Sequence, residues 1–366
     1  MSILHLLAAK EIGVEVGAGH QAAVAEAAGY LSRAGVGVRR QRGEDVALLA
    51  STGMVGGQFL HRTSRALDPH LHTHLVAANV AQGVDGTWSS LDSRKLFAHI
   101  RAARVVYHAA LRLELGERIG ASWSIRRSGL GDVVGVDDGM RRLFSQRSSS
   151  MDEFAARRSG RLSSGPRSKA AFHADRPDKD RAQTVDSLTA SWKVRAADFG
   201  FDLGELTKAV GPRRSRVAES VVDERRVRQD LGELAYRGKS IAQRDVVAVV
   251  AAASTAGASA STIESVATAV TEASDRSRGA ARQASASRNG PLAASRPEAR
   301  WPAADLLSVV ERGHLTQLFA EQTLRRDGHA LRDGLAKAAH STEREHPPLA
   351  QGQSWHERRD SPLLER

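Results

Sequence analysis

The sequence predicts an α/β domain, an antiparallel sheet with flanking helices, followed by a mostly helical and partly disordered C-terminal extension. Three observations carry this. Residues 56–80 read as strand, turn and strand, with Asp68-Pro69 marking the turn. Long stretches of helical periodicity lie on both sides of that hairpin. After residue 145 the composition turns polar and rich in Ser and Arg.

Taken in order, "AAKEIGVEVGAGHQAAVAEAAGYLSRAG" from Ala8 has Ala-rich helical periodicity, with Gly35 as its stop. "VGVRRQR", residues 36–42, reads as an exposed strand. "GGQFLHRTS" (56–64) and "THLVAANV" (73–80) read as two buried strands joined by "RALDPHLH". "DGTW" begins a further turn and strand. Asp92 then stands as N-cap of a long amphipathic helix, "SRKLFAHIRAARVVYHAALRLELGERIG". The segment "SQRSSSMDEFAARRSGRLSSGPRSKAAFHADRPDKDR" is expected to form short helices with mobile links. Residues 181–255 read as helices ending in "RDVVAVVAAAS", and the Ser-, Arg- and Ala-rich stretch from Ser274 has the composition of a disordered linker. The expected division is therefore a domain over 1–205, a helical linker region over 206–273, a disordered linker over 274–302, and a short helix with a polar tail over 303–366.

Composition narrows the function. Of 366 residues, 53 are Lys or Arg and 42 Asp or Glu, a formal net charge of +11. That balance favours a polyanionic partner, because Lys and Arg displace the counterions condensed on phosphates. There are no cysteines, which excludes disulfides, iron–sulfur clusters and thiolate zinc sites, so any metal must use nitrogen and oxygen ligands. No phosphate-cradling G-x-x-x-x-G-K-[ST] loop occurs. The apolar run in "MSILHLLAAKEIG" falls far short of the roughly twenty residues of a membrane span; no membrane segment is expected, and the protein reads as cytoplasmic.

His61, His70, His72 and His74 crowd into "HRTSRALDPHLHTH". On a strand, His72 and His74 share a face at a backbone separation of roughly 6.6 Å, so both imidazoles can reach one ion through bonds of about 2.1 Å. His70 has the same parity but lies about 13 Å from His74 along an extended strand, too far for all three to meet. The third ligand is expected from the preceding strand, and His61 stands there. Three neutral imidazoles leave the charge of a divalent ion intact, so it keeps its affinity for anionic oxygens. The plainer reading, partly buried histidines with no ion, weakens once a third histidine and a Pro-defined turn coincide.

The pattern of a histidine, T-S-R, then D-P-x-L-H-T-H and an apolar strand, here "HRTSRALDPHLHTHLVAANV", resembles the TrwC/TraI-type (MobF) conjugative relaxases of the HUH endonuclease class. "SILHLLAAKEIGVEVGAGH", "DGTWSSLDSRKLF" and "AALRLELGERIG" extend the resemblance to about residue 205, with "LFSQRS" and "RPDKDR" resembling later parts of the domain. The resemblance implies a divalent metal on His61, His72 and His74 that grips the scissile phosphate of single-stranded DNA at a transfer origin; it does not distinguish Mg, Mn and Zn. It also implies relaxosome proteins as partners, and strand-specific nicking by transesterification in the transfer of a plasmid or integrative element.

In that family the nucleophile is a tyrosine close to the N-terminus. This chain has only Tyr30, Tyr107 and Tyr236, of which the first two sit inside expected helices. The catalytic residue is thus unassigned. The N-terminal part of the domain and the helicase motor are expected to be missing, and the chain as given is expected to be inactive in nicking. The competing readings are a remnant that binds metal and single-stranded DNA without cutting, and an H-x-H metal-dependent hydrolase. The latter would want a carboxylate ligand, and Asp68 is assigned to the turn. Arg65 and Lys95 are candidate contacts to the DNA backbone, as are the pairs Arg39/Arg40, Arg126/Arg127 and Arg141/Arg142. Trp88 reads as a core residue before a base-stacking one, and His99 and His108 as satisfied or exposed.

Overall fold

The computed structural model describes residues 1–145, 184–211, 222–238, 240–283 and 299–312. Its spine is a pair of antiparallel helices, α2 (Lys10–Tyr30) and α3 (Ser93–Ile119). Their direction follows from three pairings, Glu15 with Arg118, His20 with Tyr107, and Tyr30 with His99. The Asp92 carboxylate accepts from the backbone N–H groups of Arg94 and Lys95, and Gly120 closes the same helix at φ 63°. Both ends are therefore written in local chemistry, an acidic N-cap and a left-handed glycine. A short helix α1 (Ser2–Leu7) precedes the pair, and a single π turn, Leu31–Gly35, ends α2.

Between the two helices run six strands: β1 (Gly37–Arg42), β2 (Asp45–Ala50), β3 (Gly56–Thr63), β4 (Pro69–Ala77), β5 (Ala81–Gln82) and β6 (Trp88–Ser89). They pair as antiparallel ribbons β1–β2, β3–β4 and β5–β6. After α3 come the β7 (Trp123–Ile125) and β8 (Gly131–Val133) hairpin, α4 (Asp138–Leu143), α5 (Val185–Asp198) and a 3-10 turn, Leu203–Ala209. Then follow α6 (Glu224–Tyr236), β9 (Ser240–Ala242), α7 (Gln243–Ala253), α8 (Ala260–Gln283), β10 (Arg300–Pro302) and α9 (Ala303–Arg312), with β9 and β10 paired.

The α/β class with antiparallel pairing is as the sequence suggested, but the hairpin is not a buried pair. Among the described residues β3 and β4 pair only with each other. Phe59, Leu75 and Val76, whose apolar character suggested burial, stand exposed. Apolar residues in a strand signal a packed face only where something covers it, and these side chains are left open.

The expected linker regions also differ. α7 is apolar on every side, with Val246 through Ala253 buried, which suits a core helix and not a linker. It joins Val105, Val106 and Ala109 of α3, together with Ile263 and Val266 of α8 and Leu306 of α9, in one hydrophobic cluster. A second cluster on the other side of α3 unites α1, α2, α4 and α5. Gly257, at φ 99°, lets the α7–α8 connection press against α3: a Cβ there would lie 2.2 Å from the Leu113 nitrogen. The stretch expected to be disordered from 274 begins as helix, since α8 runs to Gln283, with Ser274 buried. Its far end is held by buried Trp301, whose indole N–H donates to Asp275 at 2.8 Å. A polar composition concealed this long-range anchor. The readings for 146–183, including "RPDKDR", for 284–298 and for the tail beyond 312 lie outside the described residues.

Candidate metal centre

β3 and β4 face each other in a register that sets His61 directly opposite His72 and Phe59 opposite His74. Because side chains alternate along a strand, these four residues share one face. A register shift follows His61 as β3 enters the turn. The turn is built by local chemistry. The Ser64 N–H donates to the Asp68 carbonyl at 2.9 Å and the Ser64 hydroxyl accepts from the Asp68 N–H at 3.1 Å. Leu67 adopts φ 56°, the one non-glycine residue with positive φ among those described, and its N–H reaches the Ser64 carbonyl at 3.2 Å.

The turn is then clamped from far along the chain. Arg195 of α5 pairs with buried Asp68 at 2.8 Å. The Trp192 indole N–H, on the same helix, donates to the Leu67 carbonyl at 2.7 Å. Asp68 is thus a turn residue, as its sequence context indicated, but its carboxylate serves an ion pair with a residue 127 positions away.

The three rings meet. Centroids lie 5.3 Å apart for His61–His72, 4.8 Å for His61–His74 and 5.1 Å for His72–His74. One ring nitrogen from each falls within 4.8 Å of the other two. Three bonds of about 2.1 Å at tetrahedral angles separate ligand nitrogens by roughly 3.4 Å, so small ring rotations bring this trio to bonding distance. His72 Nδ1 lies 2.9 Å from the His70 carbonyl oxygen. An N–H donated there leaves Nε2 as the lone-pair nitrogen, the arrangement by which metal-binding imidazoles are oriented. The donor set is all imidazole nitrogen, with no carboxylate in the cluster among the described residues. These residues fit a divalent ion.

Behind β4, Thr73 points away from the trio, and its hydroxyl lies 2.9 Å from Nε2 of His20. His20 Nδ1 in turn lies 2.8 Å from the Tyr107 hydroxyl. Burial pushes His20 down to about 4, with the neighbouring His5 and His72 adding to the effect, so it stays neutral. A cavity of about 630 Å³ opens on this side, bordered by His70 through Thr73 and by Ile100, Tyr107 and Phe144. Sequence reading missed His20; its partner Thr73 lies 53 residues away, and nothing local marks either.

The expected DNA contacts divide. Arg65 is exposed at the turn, beside exposed Arg62. Lys95 is half-buried and its ammonium donates to the Val36 carbonyl at 3.0 Å, with burial lowering its pKa. Arg39 pairs with Asp92, Arg40 with Asp85, Arg126 with Asp132, Arg127 with Asp230 and Glu233, and Arg141 with Asp138. Those guanidinium groups are engaged within the fold. Trp88, expected in a core, is 54% exposed on the short β6 strand. Tyr30 and Tyr107 carry the structural duties expected of them: Tyr30 is buried and bonded to Nδ1 of His99 at 2.8 Å.

A family model described as TrwC relaxase matches residues 1–199 of the 366, more than half of the chain. The chain belongs to the TrwC relaxase family. It is 28% identical over 173 residues to the multifunctional conjugation protein TraI of Escherichia coli, a match covering 44% of this chain and 9% of that protein. The chain thus spans under a tenth of the length of that curated relative. Two solved structures of the conjugative relaxase TrwC in complex with oriT DNA, one copper-bound and one metal-bound, are each 28% identical with TM-scores of 0.50. Both cover 55% of this chain, and 68% and 69% of their own. Among the described residues no helix is long and apolar enough to cross a membrane.

Proposed function

We propose that this chain is the DNA-processing part of a conjugative relaxase, in which His61, His72 and His74 hold one divalent ion against a phosphate of single-stranded DNA at a transfer origin. The observation that carries the reading is the convergence of three imidazoles from two paired strands, one nitrogen of each within 4.8 Å of the others, inside the segment matched by the relaxase family. A bound ion supplies Lewis-acid polarisation of a phosphate oxygen. The chain's own residues do the rest of the binding. The turn clamp of Asp68 and Arg195 holds the two histidine strands together, and exposed Arg62 and Arg65 attract the DNA backbone. Copper in one related structure is compatible with an all-imidazole site, a donor set that also suits zinc. Relaxosome proteins are the proposed protein partners.

One observation favours a second reading, metal and DNA binding without nicking. Transesterification needs an attacking hydroxyl placed in line with phosphorus. Tyr30 and Tyr107 are committed to hydrogen bonds with His99 and His20, and Tyr236 ends α6, 94% exposed. The test of DNA binding is fluorescence anisotropy with a single-stranded transfer-origin oligonucleotide, with and without Mn²⁺ and across a salt series. The reading expects Mn²⁺ to tighten binding in the wild type and not in His72→Ala. Affinity that ignores both Mn²⁺ and salt contradicts it.

A further inference from the structure

We propose that the hydrogen-bond chain Tyr107–His20–Thr73 is a positioning device that sets the aim of His72 and His74; the inference rests on reading the histidine trio as a metal site. Thr73 stands between the two histidines on β4, with its side chain on the opposite face. Whatever fixes Thr73 from behind therefore fixes the twist of the strand that presents both imidazoles in front.

The ribbon needs such a hold. A lone two-stranded ribbon is marginal on its own, and β3–β4 pairs with nothing else among the described residues. Its turn end is anchored by Asp68–Arg195 and by the Leu71 N–H, which donates to the Ser2 hydroxyl at 3.0 Å. Past Thr73 the strand side chains are largely exposed, as at Leu75, Val76 and Phe59, and the next hold is the Met54 N–H, which donates to the Ser32 hydroxyl at 3.0 Å. On the Thr73 side lies the 630 Å³ cavity, so there is space for the strand to shift and little packing to prevent it. His20 supplies what packing does not. It is 2% exposed, and both of its ring nitrogens are used, one on Thr73 and one on Tyr107. The ring cannot turn without losing a bond. A strand twist of about 10° moves an imidazole tip, roughly 6 Å from the strand axis, by about 1 Å, beyond the ~0.5 Å tolerance of a binding constellation.

The molecule contains a matched control. Tyr30 and His99 form a second Tyr–His bond of 2.8 Å between the same two helices, with the residue types exchanged. That bond touches neither β3 nor β4. The experiment titrates the full chain with Cu²⁺ alone, by calorimetry and by electron paramagnetic resonance, alongside urea unfolding. Thr73→Val should weaken Cu²⁺ binding on the order of tenfold and alter the copper hyperfine pattern, while Thr73→Ser, which keeps the hydroxyl, should restore both. Tyr107→Phe should weaken Cu²⁺ binding, whereas Tyr30→Phe should lose comparable stability and bind Cu²⁺ as the wild type does. If Thr73→Val does not fold, the two tyrosine variants decide. Wild-type affinity and spectrum in Tyr107→Phe, or equal weakening in both tyrosine variants, overturns the positioning role. A wild-type chain that does not bind Cu²⁺ overturns the metal-centre reading and this inference with it.

Discussion

Arg112 lies in the middle of α3 at 1% exposure and donates only to main-chain carbonyls: Gly129 at 2.8 Å, Ala251 at 3.0 Å, and Ser254 at 3.1 and 2.9 Å. Arg112→Met keeps most of the apolar stem and removes every donor. Ser254 retains the N–H of Gly257 at 3.1 Å, which leaves the carbonyls of Gly129 and Ala251 to bear the loss. At about 1–3 kcal/mol each, that costs about 4 kcal/mol. A cation at the C-terminal end of α7 adds up to ~1 kcal/mol that is also lost. Against this, keeping the guanidinium charged in the interior is costly, and burial lowers its pKa to about 10, equivalent to roughly 3 kcal/mol. The carbonyls win by about 2 kcal/mol, so the variant should be destabilised by that amount. Urea unfolding followed by circular dichroism and by tryptophan fluorescence measures it, with coincident transitions expected because α7 and α8 share a core with α3. A variant as stable as the wild type, or more so, would show that desolvation of the charge outweighs its hydrogen bonds and would refute the reasoning.

Acid should weaken the fold through His20 and His99, both held down to about 4, chiefly by burial. The unfolded chain takes up these protons near pH 6.5 and the folded one does not. Stability is therefore full above ~6.5, falls between 6.5 and 4 by up to about 3 kcal/mol per histidine, and falls no further below 4 from these groups; a flat urea-midpoint profile over that window contradicts this. Asp68→Asn should lower the thermal midpoint by loosening the Arg195 clamp, a loss of about 1–3 kcal/mol because Arg195 is partly exposed, and an unchanged midpoint would show that the clamp does not hold the turn. Incubated with transfer-origin single strands and Mg²⁺ or Mn²⁺, the chain should form no covalent DNA adduct through Tyr30 or Tyr107. An adduct on a denaturing gel that disappears in Tyr30→Phe or Tyr107→Phe would falsify that expectation.

Much of this was legible from local chemistry. The N-cap at Asp92, the turn at Asp68 and the H-x-H pair each depend on neighbours a few residues away and were legible from them, although β4 begins at Pro69, four residues before the strand expected from Thr73. His61 was reachable too, because an antiparallel hairpin fixes which residue faces which. What escaped was set by distant partners. Arg195 reaches Asp68, Trp301 reaches Asp275, and His20 reaches Thr73, across separations no periodicity records. The exposure of Phe59 and Val76 escaped for the same reason, since burial depends on what covers a strand and not on its own residues. Lys95 looked like a free cation until the fold brought the Val36 carbonyl to it.

The central claim is that three particular histidines hold one ion and the fourth does not. Calorimetric titration of the chain with Mn²⁺ or Cu²⁺ across His61→Ala, His72→Ala, His74→Ala and His70→Ala tests it directly. The account predicts one ion per wild-type chain. Each of the first three variants should weaken binding by more than ~100-fold, since loss of a ligand exceeds loss of a group that only orients one. His70→Ala, which keeps the backbone carbonyl facing His72, should bind as the wild type does. Four variants responding alike, or His70→Ala alone losing the ion, would contradict it.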